Sequence, residues 1–358
     1  MIPVTKPYLP AKEKYKKYID DIYESGWLTN NGPLCKELEE RLAKHLDVKN
    51  LILVANGTLA LQVVYKALEL EGEVITSPFS FVATTSSLVW EGLKPIFADI
   101  DPATFNIDPS EIEQSISSET SAIVPVHVFG NPCQVEQIQI IADRYNSKVI
   151  YDAAHAFDVS LRGESVLNFG NASTLSFHAT KLFHSIEGGA VITNDDQLAE
   201  KIRLMINFGI AGKDSIELLG INAKMNEFEA AMGLCVLDEI EKIKAERRKI
   251  IHIYQEKLAG VVRFQKFNDS AVNNGAYVPA LFESEAQLLK VQQVLLDNNV
   301  TPRRYFYPSL DTLEYCKSDN VCEISKDISS RVLCLPLYVG LNESDVISII
   351  NVIKREVC

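Results

Sequence analysis

Short apolar runs alternate with helical patterns through the first two thirds of the chain. The runs are Leu51–Val54, Glu73–Thr76, Pro95–Ala98, Ala122–Val126, Lys148–Tyr151, Thr174–Phe177 and Ala190–Thr193. Each is four or five residues long, rich in Val and Ile, and shows little polar alternation. Strands covered on both faces read this way. Between several of them apolar residues recur at helical spacing, as in Leu59–Leu70 and Val135–Tyr145. The alternation predicts an α/β fold, a mostly parallel seven-stranded sheet with helices on both faces.

From about Asn226 the pattern changes. Glu227–Leu258 keeps apolar residues at helical spacing among many charges, which predicts one long helix linking two domains. After Gly260 come short strands, a helix near Glu285–Asn298 and a last helix opening at Asn342, a suitable N-cap. This part reads as a smaller α+β unit. With the linking helix at the boundary, the expected large domain is residues 1–240 and the small C-terminal domain 241–358. A chain of 358 residues accommodates two domains of ordinary size.

The composition narrows the function. Hydrophobic residues are 47% and charged residues 23%, an ordinary globular balance. A net charge of −13 repels a phosphate backbone, so no nucleic-acid partner is expected. The opening stretch has prolines and lysines where a secretory signal needs an apolar run, and no run suits a membrane helix. Seven scattered cysteines without a CxxC pair read as reduced thiols, so the expected compartment is the cytoplasm. The motifs of Rossmann dehydrogenases, P-loop NTPases, zincins and α/β-hydrolases are absent. His155, His178 and His184 with Asp152 are numerous enough for a metal, but their spacing matches no common ligand pattern and none is expected.

Three features fit one cofactor. In ANGTLALQVV a strand gives way to a helix at Gly57–Thr58, where free N–H groups and the helix dipole suit a phosphate ester. An ordinary capped turn reads the same way. In KVIYDAAHA, Asp152 ends an apolar strand, where open α/β sheets bind ligands and where an Asp also simply caps a helix. In STLSFHATKLFHSIEGGA, Lys181 follows a strand and precedes Gly188–Gly189. A partly desolvated lysine gives up its proton and can form a Schiff base, although most lysines lie on the surface. Taken together, a phosphate turn, a strand-end acid and a lysine are what pyridoxal 5′-phosphate requires. An acid against the ring nitrogen contributes a Coulomb term on the order of 5 kcal/mol at an effective dielectric of about 20. Phe79 and Phe81 in SPFSFVATT offer a flat apolar face, one for the ring and one for the core.

The chain resembles the DegT/DnrJ/EryC1/StrS sugar aminotransferases, of fold type I among pyridoxal-phosphate enzymes. The resemblance runs from WLTNNGP (Trp27–Pro33) through GT, FVAT, VHVFG, YDAAHA, SFHATK and EGGA to GINAKMNEFEAAMGL and RRYFYP (Arg303–Pro308). It implies that Lys181 is the Schiff-base lysine and Asp152 the partner of the ring nitrogen. Phe81 is then the stacking aromatic, and Gly57, Thr58 and Ser176 are phosphate ligands. Asn222 resembles the asparagine that reaches the phosphate from a neighbouring subunit, which implies a homodimer with shared sites. His155 stands where most relatives have glutamine and is expected to bond the ring hydroxyl oxygen. Lys224 stands where the family's usual arginine would be.

The variants look most like the branch that makes dTDP-4-amino-4,6-dideoxy-D-glucose, for bacterial surface polysaccharide such as O-antigen. The implied reaction moves an amino group from L-glutamate to the 4-keto carbon of dTDP-4-dehydro-6-deoxy-D-glucose, with Lys181 carrying the proton in both halves. Arg303 and Arg304 are candidates for the pyrophosphate, and Tyr305 and Tyr307 for the sugar or base. Solvent-facing arginines are the plain alternative. Thr29, Asn30 and Asn31 are candidates to close over the sugar, although Asn-Asn-Gly-Pro is also simple turn chemistry. A 3-keto aminotransferase would keep every cofactor residue. A non-catalytic regulator on the same fold is the remaining alternative.

Overall fold

The computed structural model describes residues 1–316 and 321–357. All seven apolar runs form strands of one sheet. They are β1 (Asn50–Val54), β2 (Glu73–Thr76), β3 (Lys94–Phe97), β4 (Thr120–Val124), β5 (Lys148–Asp152), β6 (Ala172–Ser176) and β7 (Gly189–Thr193). Their order across the sheet is β1-β7-β6-β5-β4-β2-β3. The pairs β2–β3, β2–β4, β4–β5 and β5–β6 are parallel, whereas β7 runs antiparallel to both β1 and β6. The expected boundaries hold to within about two residues. The signal was strong because both faces are covered, one by a cluster including Leu53, Leu175 and Ala190, the other by one including Ile52, Ile150 and Val191.

Register brings four chain positions to one end of the sheet. Gly189, the first residue of β7, pairs with Val54 at the end of β1 and with Ser176 at the end of β6. Asp152, the last residue of β5, pairs with Thr174. The reversed strand thus starts at the edge where its neighbours stop. Close packing follows: a Cβ on Gly189 would lie 2.7 Å from the Asn56 carbonyl carbon and 2.8 Å from the Gly57 nitrogen.

One expectation fails. The stretch Glu227–Leu258 is two helices, Glu227–Leu237 and Ile240–Lys257. Asp238 is held by Lys14 at 2.6 Å and by Arg41, and Glu239 leaves the helical region at φ −109°, ψ 5°. Burial also changes character at the break. The first helix is buried on nearly every side, and the second shows one apolar stripe (Ile240, Ile243, Ile250, Tyr254). The first helix opens with a capping box between Asn226 and Glu229. Buried Glu227 accepts N–H bonds from Leu34 at 2.8 Å and Cys35 at 3.1 Å, tying down the start of helix Pro33–His45.

Beyond Gly260, the strands Arg263–Phe264, Pro279–Leu281 and Val332–Cys334 form an antiparallel sheet in that order. Helices Glu285–Asp297 and Glu343–Val357 pack on it, the latter starting just after Asn342. The expected small domain runs to Cys358, which lies outside the described residues. A further cluster joins Phe79, Phe129, Leu281, Phe306 and Val332, so both parts of the chain meet beside the ends of β4 and β5.

Candidate active site

Asp152 is buried at the carboxyl end of β5. Its Oδ2 accepts the Thr84 hydroxyl at 2.7 Å, and its Oδ1 accepts the Ala154 N–H at 3.1 Å. Each oxygen therefore has one donor from the chain and keeps a free lone pair. Thr84 lies 2.8 Å from the Ser80 hydroxyl. Its proton is committed to Asp152, so Ser80 is the donor in that contact.

Lys181 sits in the turn between β6 and β7, its N–H bonded to the His178 carbonyl at 2.8 Å. Leu182 and Phe183 beside it anchor the turn in the core. Desolvation lowers the pKa of the lysine to about 8, against an opposing pull from Asp152. Lys181 and Asp152 line one cavity of about 250 Å³, together with Gly57, Thr58, Phe81 and Ser176.

Gly57 and Thr58 open the helix Gly57–Ala67, and the Asn56 side chain caps it by accepting the Leu59 N–H at 2.9 Å. The first N–H groups of a helix lack intrahelical acceptors, so they are available at the cavity. A Cβ on Gly57 would fall 2.8 Å from that of Ser176. Phe81 is 48% exposed at the cavity wall, whereas Phe79 is fully buried against Phe105, Phe129 and Phe306. The two phenylalanines divide as the sequence suggested.

His155 also lines the cavity. Its Nδ1 accepts the Phe129 N–H at 3.3 Å, which assigns the ring proton to Nε2. Burial and the charge of Lys181 hold its pKa well below the usual imidazole range. Phe306 stacks on the ring at 5.5 Å, and Tyr277 meets its edge at 4.8 Å.

The substrate candidates divide. Arg303 and Tyr305 line the cavity, with the guanidinium 4.5 Å from the tyrosine ring centroid. Arg304 and Tyr307 do not. Arg304 bonds Glu285 at 2.6 Å and the Ser330 carbonyl at 2.7 Å, and Tyr307 covers it at 3.6 Å. The chain turns at Tyr305–Phe306, which leaves Phe306 on the cavity wall with Arg303 and Tyr305 and places Arg304 and Tyr307 outside it. Asn30 and Asn31 line a second cavity of about 160 Å³ with Arg203, Asn207 and Lys224. Thr29 is exposed and lines neither cavity. Asn222 is exposed, bridges Asn207, and lies outside the Lys181 cavity. His184 Nε2 lies 2.7 Å from the Tyr8 carbonyl, and His178 Nδ1 lies 2.8 Å from the Thr180 hydroxyl.

Residues 10–354 match the model of the DegT/DnrJ/EryC1/StrS aminotransferase family. The chain belongs to that family. It is 43% identical to a dTDP-4-amino-4,6-dideoxy-D-glucose transaminase of Shigella dysenteriae, covering 99% of this chain and 98% of that one. It is 41% identical to one of Escherichia coli, covering 97% and 96%. The structure of DesI in the presence of its TDP-sugar product superposes with a TM-score of 0.94 at 35% identity, covering 99% of this chain and 92% of that one. The family's enzymes depend on pyridoxal 5′-phosphate.

The cavity fits that group. Asp152 meets the need of a ring nitrogen for an anion, and Lys181 meets the need of an aldehyde for an amine of lowered basicity. The helix start at Gly57 is kept open by two glycines whose Cβ atoms would crowd it. Tyr277 stands in none of the motifs, because its place beside His155 depends on contact between distant segments. Thr84 and Phe306 stand in FVAT and RRYFYP, which do not reveal the Asp152 bond of the one or the His155 stacking of the other.

Proposed function

We propose that this protein transfers the amino group of L-glutamate to the 4-keto carbon of dTDP-4-dehydro-6-deoxy-D-glucose, giving dTDP-4-amino-4,6-dideoxy-D-glucose. The observation that carries the transfer is the meeting of Lys181 and Asp152 in one cavity. The choice of sugar rests on the two relatives above 40% identity, both named for that product.

When bound, the cofactor supplies an aldehyde that accepts amines and a cationic ring that withdraws electrons. Asp152 would hold negative charge against the ring nitrogen, His155 would donate Nε2–H to the ring hydroxyl oxygen, and Phe81 would supply the flat apolar wall. Gly57, Thr58 and Ser176 would bind the phosphate. Lys181 Nζ takes the proton from the α-carbon of the donor and returns one to the sugar carbon in the second half. Arg303 meets the pyrophosphate and Tyr305 packs against the sugar.

Asn222 completes the phosphate site of a second copy in a homodimer. The exposed apolar side chains around it, Phe208, Ile216, Leu219 and Ile221, support this reading. Residues 1–240 and 241–358 are the large and small domains. The enzyme works in the cytoplasm, and its product enters surface polysaccharide such as O-antigen. Among the described residues no helix is long and apolar enough to cross a membrane.

The test is to incubate the protein with the 4-keto sugar, glutamate and cofactor, then locate nitrogen in the product by NMR. Nitrogen at C4 is expected, and nitrogen at C3 overturns the sugar assignment. A protein without a borohydride-sensitive visible band overturns the enzyme reading.

A further inference from the structure

We propose that Asn274 is a positioning residue for His155, fixing the imidazole as the Nε2–H tautomer aimed into the cavity. The inference deepens the cofactor reading above and rests on it for its consequence in catalysis.

Asn274 is fully buried. Its amide donates to the carbonyls of His155 and Phe157, both at 2.9 Å, and its Oδ1 accepts the Ala276 N–H at 3.0 Å. Every polar atom of the amide is therefore used. Turning it over would set its oxygen against two carbonyl oxygens, so one orientation is allowed. The opposite side is closed by Gly130, where a Cβ would lie 2.9 Å from the His155 carbonyl and 3.0 Å from Asn274 Oδ1.

The segment carrying Asn274 is itself fixed. Buried Arg247 donates from Nε to the Gly275 carbonyl at 2.9 Å and from a terminal nitrogen to the Ala276 carbonyl at 2.6 Å. The Asn273 side chain accepts the Gly275 N–H at 2.7 Å. Three residues beyond Asn274, Tyr277 closes the edge of the His155 ring, and Phe306 covers its face at an interplanar angle of 5°. The later part of the chain thus sets both the backbone and the ring of a residue carried by the β5 loop.

Phe129 restrains the ring as well, its side chain stacking at 6.1 Å and its N–H making a long bond of 3.3 Å to Nδ1. That bond survives only while the His155 main chain keeps its place. If it is lost, Nδ1 becomes free to carry the proton, and Nε2 then has none to donate.

The experiment uses the full-length protein with Asn274→Ala and the near-isosteric Asn274→Asp, which removes the amide donors and conserves volume. Side-chain ¹⁵N signals of His155, assigned by their loss in His155→Gln, report the tautomer with and without pyridoxal phosphate. Cofactor dissociation constants and unfolding midpoints are measured alongside. The native protein is expected to show the Nε2–H form alone. The variants are expected to show both tautomers and about tenfold weaker cofactor binding, the loss of roughly one hydrogen bond. A native His155 pattern in whichever variant folds, with the dissociation constant within about twofold, overturns the proposal even if the midpoint falls. Failure of the unaltered protein to bind pyridoxal phosphate refutes the cofactor reading instead, and the tautomer measurement still decides the role of Asn274.

Discussion

Thr84 Oγ1 donates to Asp152 Oδ2 at 2.7 Å, joining the helix Val82–Trp90 to the end of β5. The bond orients the carboxylate. Replacing Thr84 by Val keeps the shape and removes the donor. We expect kcat to fall about tenfold, consistent with one lost hydrogen bond to a charged group. Thr84→Ser should restore most of it. The ¹⁵N shift of labelled cofactor checks whether ring-nitrogen protonation moves in step.

Lys181 ties activity to stability through its proton. Its folded pKa is about 8 against an ordinary 10.5. Between those values the unfolded chain holds more protons, so stability rises with pH across that window and the cost is complete below it. Lys181→Met should therefore stabilise the cofactor-free chain at pH 7, by on the order of 1 kcal/mol after allowing for partial exposure. The gain should shrink toward pH 10, as denaturant titrations at both pH values will show. Capture of pyridoxal phosphate by the unaltered chain should quicken about tenfold per pH unit below pH 8 and level off above it.

Arg303 and Arg304 should separate cleanly. Arg303→Ala is expected to raise KM for the nucleotide sugar about tenfold or more while leaving the half-reaction with glutamate unchanged. Arg304→Ala removes bonds to Glu285 and Ser330 and should lower the unfolding midpoint with little effect on KM. Steady-state kinetics beside thermal unfolding distinguishes the two.

Shared sites predict complementation. Mixed dimers of Lys181→Ala and Asn222→Ala chains contain one site with both native residues. Random mixing of equal amounts should restore about one quarter of native activity. Mixtures no more active than the separate variants would place Asn222 outside the partner's site.

Much of this was legible because the signals were local. Doubly covered strands announce themselves as Val- and Ile-rich runs, and Asp152 ends one of them while Lys181 lies in the turn that follows another. What was hidden depends on distant pairing. The importance of Thr84 rests on a residue 68 positions away and that of Asn274 on one 119 positions away. The break at Asp238 comes from Lys14 and Arg41, which no periodicity reports. Arg304 and Tyr307 were misplaced because the chain turns at Tyr305–Phe306 and because Glu285 and the Ser330 carbonyl, distant in sequence, draw the Arg304 guanidinium away.

Gly189 carries no functional group, yet it shapes the enzyme as surely as Lys181 does. Antiparallel β7 threads its first residue between Asn56, Leu175 and Gly57, leaving less than 3 Å for any side chain. One methyl there would push against the start of the helix Gly57–Ala67, the berth proposed for the vitamin's anionic tail. The fold is thus exposed to inactivation by addition. A mutation that deletes nothing and alters no charge can silence it, and a search for missing acids or amines would not see why.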